Sequence, residues 1–311
     1  MTSADSATLP GTRIPPEAAV PDGHSFALCL THDVDRPYKT YQGPYYAIAE
    51  RDPSHLRSLI PGVNPYWSFE RIAALEADLG VRSAFYFMDE QQLFRDRPVS
   101  EWLDPDGWLR YVGRYAIDDP AIVRTMRELD AGGWEIGLHG SFESFDDPDR
   151  LRSEKRRLES LLGHRVRGGR QHHLNLAIPE TWEHHSTLGL EYDSTLGSSS
   201  TYGFENGYHP FRPFDDAFVE FPLTLMDVAL PEVAADPVRA RAECESLLEE
   251  AAEHEAVMTV LWHPRYLGDD FPEHVELYRT LVRRALELGA WVGPPGALYD
   301  SLGDEPGEPS P

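Results

Sequence analysis

Short apolar runs alternate with amphipathic stretches along most of the chain. Runs at 26–31, 83–88, 134–138, 166–170, 190–193, 218–223, 257–262 and 290–292 have the length and composition of strands. Helical periodicity recurs at 68–79, 120–131, 147–162, 179–188, 237–253 and 272–288. Pro120, Pro148, Pro179, Pro237 and Pro272 stand where a helix begins, a position that tolerates a residue without an N–H. Gly80, Gly163, Gly189 and Gly289 follow the helical stretches, as C-terminal caps do. Repeated strand–helix units predict an α/β fold around a parallel sheet, and periodicity alone does not separate an open sheet from a closed barrel. At 311 residues the chain fits one α/β domain, set at 25–302, a size that α/β barrels often reach as a single unit. Residues 1–24, with Pro10, Pro15, Pro16 and Pro21, read as a flexible leader, and 303–311 as a flexible acidic tail.

Charge narrows the range of functions. The chain has 28 Lys+Arg against 53 Asp+Glu, a formal net charge of −25. Such a surface repels phosphate backbones and anionic lipid, which excludes nucleic-acid binding by backbone electrostatics and argues against docking on acidic membranes. Lys39 and Lys155 are the only lysines, so arginine supplies almost all the positive charge. Acid-rich, arginine-dominated composition predicts a halophilic protein, with a haloarchaeal source as the expectation. Cys29 lies in an apolar run and Cys244 in a charged helical pattern, so neither a disulfide framework nor a zinc knuckle is expected. No run approaches the ~18 apolar residues of a membrane span, and no signal sequence is evident, so the expectation is a cytoplasmic protein without membrane insertion.

Two long insertions, 36–67 and 89–119, follow the first two strands at the ends where α/β folds build binding loops. Tyr38, Tyr41, Tyr45, Tyr46, Tyr66, Trp102, Trp108 and Tyr111 in them suit either a sugar-facing surface or a lid packed on itself. Candidate chemistry gathers at the same strand ends. The first strand ends in Thr31-His32-Asp33-Val34-Asp35, whose two carboxylates point the same way and repel unless a cation compensates. The third ends at His139, with Glu143 four residues later, a spacing that puts both on one metal if the segment is a helical turn. The fourth ends in Arg170-Gln171-His172-His173, where Arg170 can clamp a carboxylate. The run at 257–262 ends in Leu261-Trp262-His263-Pro264, which suits a partly desolvated acid/base at His263. Convergence on one rim favours an enzyme.

These motifs resemble the polysaccharide deacetylase family, the NodB-homology group of carbohydrate esterases. Thr31-His32-Asp33-Val34-Asp35 resembles its first motif, and His139-Gly140-Ser141-Phe142-Glu143 its second, normally His-(Ser/Thr)-x-x-His. Arg170 resembles the arginine of the third motif, Asp193 the acid of the fourth and Leu261-Trp262-His263 the fifth, in family order over about 26–265. The resemblance implies a distorted (β/α)7-type barrel and a divalent metal, Zn²⁺ above all, held by Asp35, His139 and either Glu143 or His172. It implies Asp33 as base and His263 as acid, with Asp193 and Arg170 tuning them. Trp262, Tyr192 and His173 become candidates for substrate contact. The implied reaction is removal of an acetyl group from an N-acetylated or O-acetylated sugar or polysaccharide. Val34 inside the first motif, Glu143 in place of a histidine and the missing Arg-x-Pro mark a divergent branch. Two other readings stay open: a non-catalytic glycan-binding scaffold, and a related C–N hydrolase acting on a small amide.

Overall fold

The structure, a computed structural model, describes residues 9–302 apart from Tyr41, Glu50, Asp52 and Glu232. Its strands are β1 (Thr12–Arg13), β2 (Ala27–Val34), β3 (Ala84–Met88), β4 (Glu135–Gly140), β5 (Gly168–Gln171) and β6 (Tyr192–Asp193). They continue with β7 (Phe211–Arg212), β8 (Val219–Glu220), β9 (Leu223–Met226), β10 (Val257–Leu261) and β11 (Trp291–Gly293). All belong to one curled sheet in the order β1-β7-β8-β6-β5-β4-β3-β2-β10-β9, with β11 also on β2. Pairing is parallel from β8 through β2 to β9, and antiparallel only where β7 meets β8 and β1. This is a single-domain, distorted (β/α)7-type barrel. Its β9 edge is covered by a loop: Leu223 N donates to Leu196 O at 2.8 Å and Gly203 N to Thr224 O at 2.9 Å.

Alternation along β2 decides what lies inside. Phe26, Leu28, Leu30 and Val34 join the outer core with the helices, while Ala27 and Cys29 face inward with Ala84, Tyr86, Tyr192 and Phe221. Burial on both faces makes the central strands continuous apolar runs, which is why they are legible in the sequence. Asp119, Asp147 and Asp236 cap the helices Pro120–Ala131, Pro148–Leu162 and Pro237–Glu253, with proline at the first helical position of each. Each such cap stabilises by about 1 kcal/mol. Gly163 closes its helix at φ 92°, where a side chain would be strained.

Two expectations need correction. Residues 12–19 of the supposed flexible leader are structured. β1 pairs with β7, and Ile14 and Ala19 pack with Leu298 and Leu302 against the inward-facing Ala27, Tyr86 and Tyr192. A barrel leaves an apolar floor at its N-terminal end, and this segment covers it. The expected tail at 303–311 lies outside the described residues. The run at 218–223 is not one strand, because Pro222 has no N–H for a ladder and separates β8 from β9. Among the described residues no helix is long and apolar enough to cross a membrane. Cys29 and Cys244 are both buried and unbridged.

The insertion at 89–119 packs partly on itself: Phe94 meets the edges of Trp102 and Trp108, with ring centroids 5.4 and 5.5 Å apart. In the other insertion Tyr66 is buried and Tyr38 packs on Trp67, while Tyr45 is exposed. Tyr41 lies outside the described residues.

Candidate active site

The C-terminal ends of β2, β4, β5, β9 and β10 surround a cavity of about 250 Å³. Asp33, Asp35, His139, His172, His173 and His263 line it, with Arg36, Arg114 and Arg265. The odd positions of β2 point inward, so Thr31, Asp33 and Asp35 fall on the barrel side. His32 points outward to Glu76 at 2.9 Å, a buried structural contact.

Asp33 is buried and held by a fully buried arginine. Arg170 Nη1 donates to Asp33 Oδ1 and to Thr31 Oγ1, both at 2.9 Å. Arg170 Nε donates to Ser194 O at 2.6 Å and Nη2 to Ser194 Oγ at 2.9 Å, which fixes the guanidinium plane. β5 reaches this geometry through Gly169, where a Cβ would stand 1.9 Å from the Leu138 carbonyl oxygen. The glycine lets β5 lie against β4 and brings Arg170 inward.

One ligand-atom cluster among the described residues has the makings of a cation site: Asp35, His139 and His172. His139 Nδ1 donates to the Arg170 carbonyl at 2.9 Å, so in the neutral ring Nε2 carries the lone pair. That lone pair faces Asp35 Oδ1 at 3.1 Å. Two acceptors at this distance require a proton or a metal ion between them. Burial opposes a charged His139, but Asp33 and Asp35 outweigh it and raise the pKa. Burial also opposes the Asp35 carboxylate, yet His172, His139 and His263 hold its pKa well below the usual range. His172 Nε2 lies 3.7 Å from Asp35 Oδ1. Burial, then the neighbouring Arg114, pushes the His172 pKa well down. Arg114 Nη2 donates to His172 Nε2 at 3.2 Å, so that atom also presents a lone pair. One carboxylate and two imidazoles, one of them oriented by a backbone carbonyl, fit a divalent ion of the Zn²⁺ type.

Glu143 does not join this cluster. Its carboxylate accepts from Tyr111 Oη at 2.9 Å, Arg150 Nη1 at 3.1 Å and Arg97 Nη1 at 3.2 Å. The residues 141–144 form a turn outside the rim, so the fourth-residue spacing does not bring Glu143 back to His139. Between the two alternatives read in the sequence, His172 stands at the cluster.

His263 sits on the other side of Asp35, with Nε2 3.6 Å from Asp35 Oδ2. Its Nδ1 donates to Asp227, 2.9 Å from Oδ1 and 3.0 Å from Oδ2. Burial disfavours the charged ring, but Asp227 more than offsets it and the His263 pKa is raised.

Three other sequence candidates fall away from the cavity. Asp193 alternates with the inward Tyr192 and faces outward, accepting from Thr195 Oγ1 at 2.7 Å and lying 3.5 Å from His185 Nδ1. Tyr192 is inside the barrel but on its floor, with its hydroxyl on Glu135 at 2.8 Å and near Tyr86 at 3.2 Å. Trp262 is fully buried in the outer core against Tyr278. Its parity along the chain is opposite to that of His263, so it does not line the cavity that His263 faces. His173 does line the cavity, at a positive φ of 59°.

Sequence reasoning missed Asp227, Glu90 and the arginines. Asp227 follows β9 directly, and an acid after an apolar run was available as a signal once Pro222 is taken as a strand break. Glu90 follows β3 and places Oε2 3.7 Å from His172 Nδ1 while accepting from Phe142 N at 2.7 Å. Arg114, deep in an insertion, carries no local signal.

No protein-family model matches the chain, and no curated protein matches it. Solved structures do resemble it. A protein of Mycobacterium smegmatis, provisionally named a polysaccharide deacetylase, superposes with a TM-score of 0.60 at 18% identity, covering 94% of each chain. One of Pseudomonas aeruginosa PAO1 with the same provisional name gives 0.60 at 14% identity, over 92% of this chain and 94% of that one. Puue allantoinase gives 0.55 at 14% identity over 97% of both. At these identities the likeness is one of fold.

Proposed function

We propose that the chain is a metal-dependent hydrolase that removes an acetyl group from an N-acetylated or O-acetylated sugar. The observation that carries this is the meeting of three units around one cavity: Asp33 with Arg170, the Asp35–His139–His172 cluster, and His263 with Asp227. Asp35, His139 and His172 would hold a divalent cation, most readily Zn²⁺; such an ion polarises an acyl oxygen and acidifies a bound water. At Nε2 of His172 the cation and the Arg114 donor compete for one lone pair.

Asp33 stands ready to take a proton from the attacking water. Arg170 keeps its carboxylate oriented and leaves Oδ2 toward the cluster, 3.8 Å from His139 Nε2. His263, with Nδ1 committed to Asp227, presents Nε2 to the cavity and in its charged form donates a proton to the leaving amine or alkoxide. Asp227 keeps that form populated. Acetate and the free amine or hydroxyl are the products.

The provisional names of the two bacterial neighbours agree with this reading. The size of the cavity bears on the alternatives. At about 250 Å³ it has room for one sugar unit or a small amide at the reacting position. A C–N hydrolase of small amides is therefore the second reading, and the likeness to an allantoinase fits it. Asp33→Asn tests the assignment: acetate release is lost while bound metal per chain is unchanged. Loss of metal together with activity would make Asp33 a ligand and reverse the roles of the two aspartates.

A further inference from the structure

The cavity of this strongly acidic chain is edged by three arginines. Arg36 leaves β2, Arg114 comes from the insertion at 89–119, and Arg265 follows His263-Pro264. Asp33 is paired directly with Arg170 and Asp227 with His263, while Asp35 lies among the histidines and its charge also reaches Arg36, Arg114 and Arg265. Among the described residues neither Arg114 nor Arg265 has a carboxylate within 4.0 Å. Arg114 is 8% exposed, and its guanidinium is spent on neutral acceptors: Arg110 O, Asp35 O and His172 Nε2. Arg265 lies over the Tyr266 ring, 4.8 Å from its centroid. The charges of Asp35, Asp227 and Glu90 reach these guanidiniums only from beyond 4.0 Å, so neither has an anion in direct contact, and a bound carboxylate or phosphate would supply one.

We infer that Arg114 and Arg265, with Arg36 beside them, form an anion subsite, so the molecule deacetylated here is small and carries a carboxylate or phosphate near its acyl group. The inference rests on the hydrolase reading and names its substrate class. A planar guanidinium fork suits both anions, and the two come from separate segments, the insertion after β3 and the turn after β10. The excess positive charge also steers an anionic substrate past a surface that would otherwise repel it.

The test uses the metal-loaded full chain with three probes: N-acetylglucosamine, its 6-phosphate, and an N-acetylated sugar bearing a carboxylate. Acetate release is expected to show kcat/KM at least about tenfold higher for one of the charged probes than for the neutral one, the size of a lost charge-assisted bond. Whichever charged probe is preferred identifies the anion. Arg265→Gln is expected to raise KM for that probe about tenfold or more, and Arg265→Lys to stay within about threefold, which separates charge recognition from misfolding. Inorganic phosphate titrated calorimetrically gives a readout without turnover: binding is expected to weaken about tenfold in Arg265→Gln. Equal kcat/KM on all three probes, or equal phosphate binding by wild type and Arg265→Gln, overturns the inference. Phosphate binding that depends on Arg265, without acetate release from any probe, supports the anion subsite and refutes the hydrolase reading instead.

Discussion

Breaking the Asp33–Arg170 pair exposes how the site is held together. Arg170 is fully buried and makes four hydrogen bonds, one of them to Asp33. Arg170→Met leaves a buried carboxylate without its cation, and Asp33→Asn leaves a buried cation without its carboxylate. Each change is expected to cost about 3–5 kcal/mol of unfolding free energy, most of it the penalty of an orphaned charge. The double variant has no orphan, so its loss should fall short of the sum by about 2–3 kcal/mol. Urea denaturation of the four proteins measures this directly. The exposed pair Arg71–Asp269 serves as a control and should couple by less than about 1 kcal/mol. Additivity of the two buried changes within about 0.5 kcal/mol would show that Asp33 and Arg170 are not an energetic unit, and the orientation argument for the base would fall with it.

The remaining predictions address the cluster and the acid. His172→Ala is expected to lower metal affinity at least about tenfold, while Glu143→Gln leaves it within about twofold; competition with a chelator checks both, and the reverse order would restore Glu143 as ligand. Asp227→Asn removes the carboxylate that raises the His263 pKa. The ring then loses its proton at lower pH, so the alkaline limb of kcat moves to lower pH and kcat at neutral pH drops by about 10²–10³. An unmoved pH–rate profile would take His263 out of the acid role.

Much of the barrel is legible in the chain because β2, β3, β4 and β10 are buried on both faces and leave uninterrupted apolar runs. The site follows from the same fact: Asp33, Asp35, His139 and His263 are the polar residues at the ends of β2, β4 and β10, and Arg170 lies on the neighbouring β5. The misreadings have physical causes. Glu143 was placed by spacing along the chain, but Arg97, Arg150 and Tyr111 hold it outside the rim. Asp193 and Trp262 lie at the right strand ends with the wrong parity, and a strand two residues long gives no periodicity from which to tell in from out. Residues 12–19 look like a leader because their few apolar side chains gain meaning only against a barrel floor.

The sequence by itself determined that parallel strand–helix units dominate, that the net charge is −25, and that carboxylates and histidines gather at one rim. Local order needs only near neighbours, and near neighbours are what a sequence displays. Tertiary structure alone decided that His172 rather than Glu143 meets Asp35 and His139, and that Asp227 stands behind His263. It also decided that Arg36, Arg114 and Arg265 face one cavity. Those pairings join segments up to more than a hundred residues apart, and they depend on how a curled sheet brings its strand ends together.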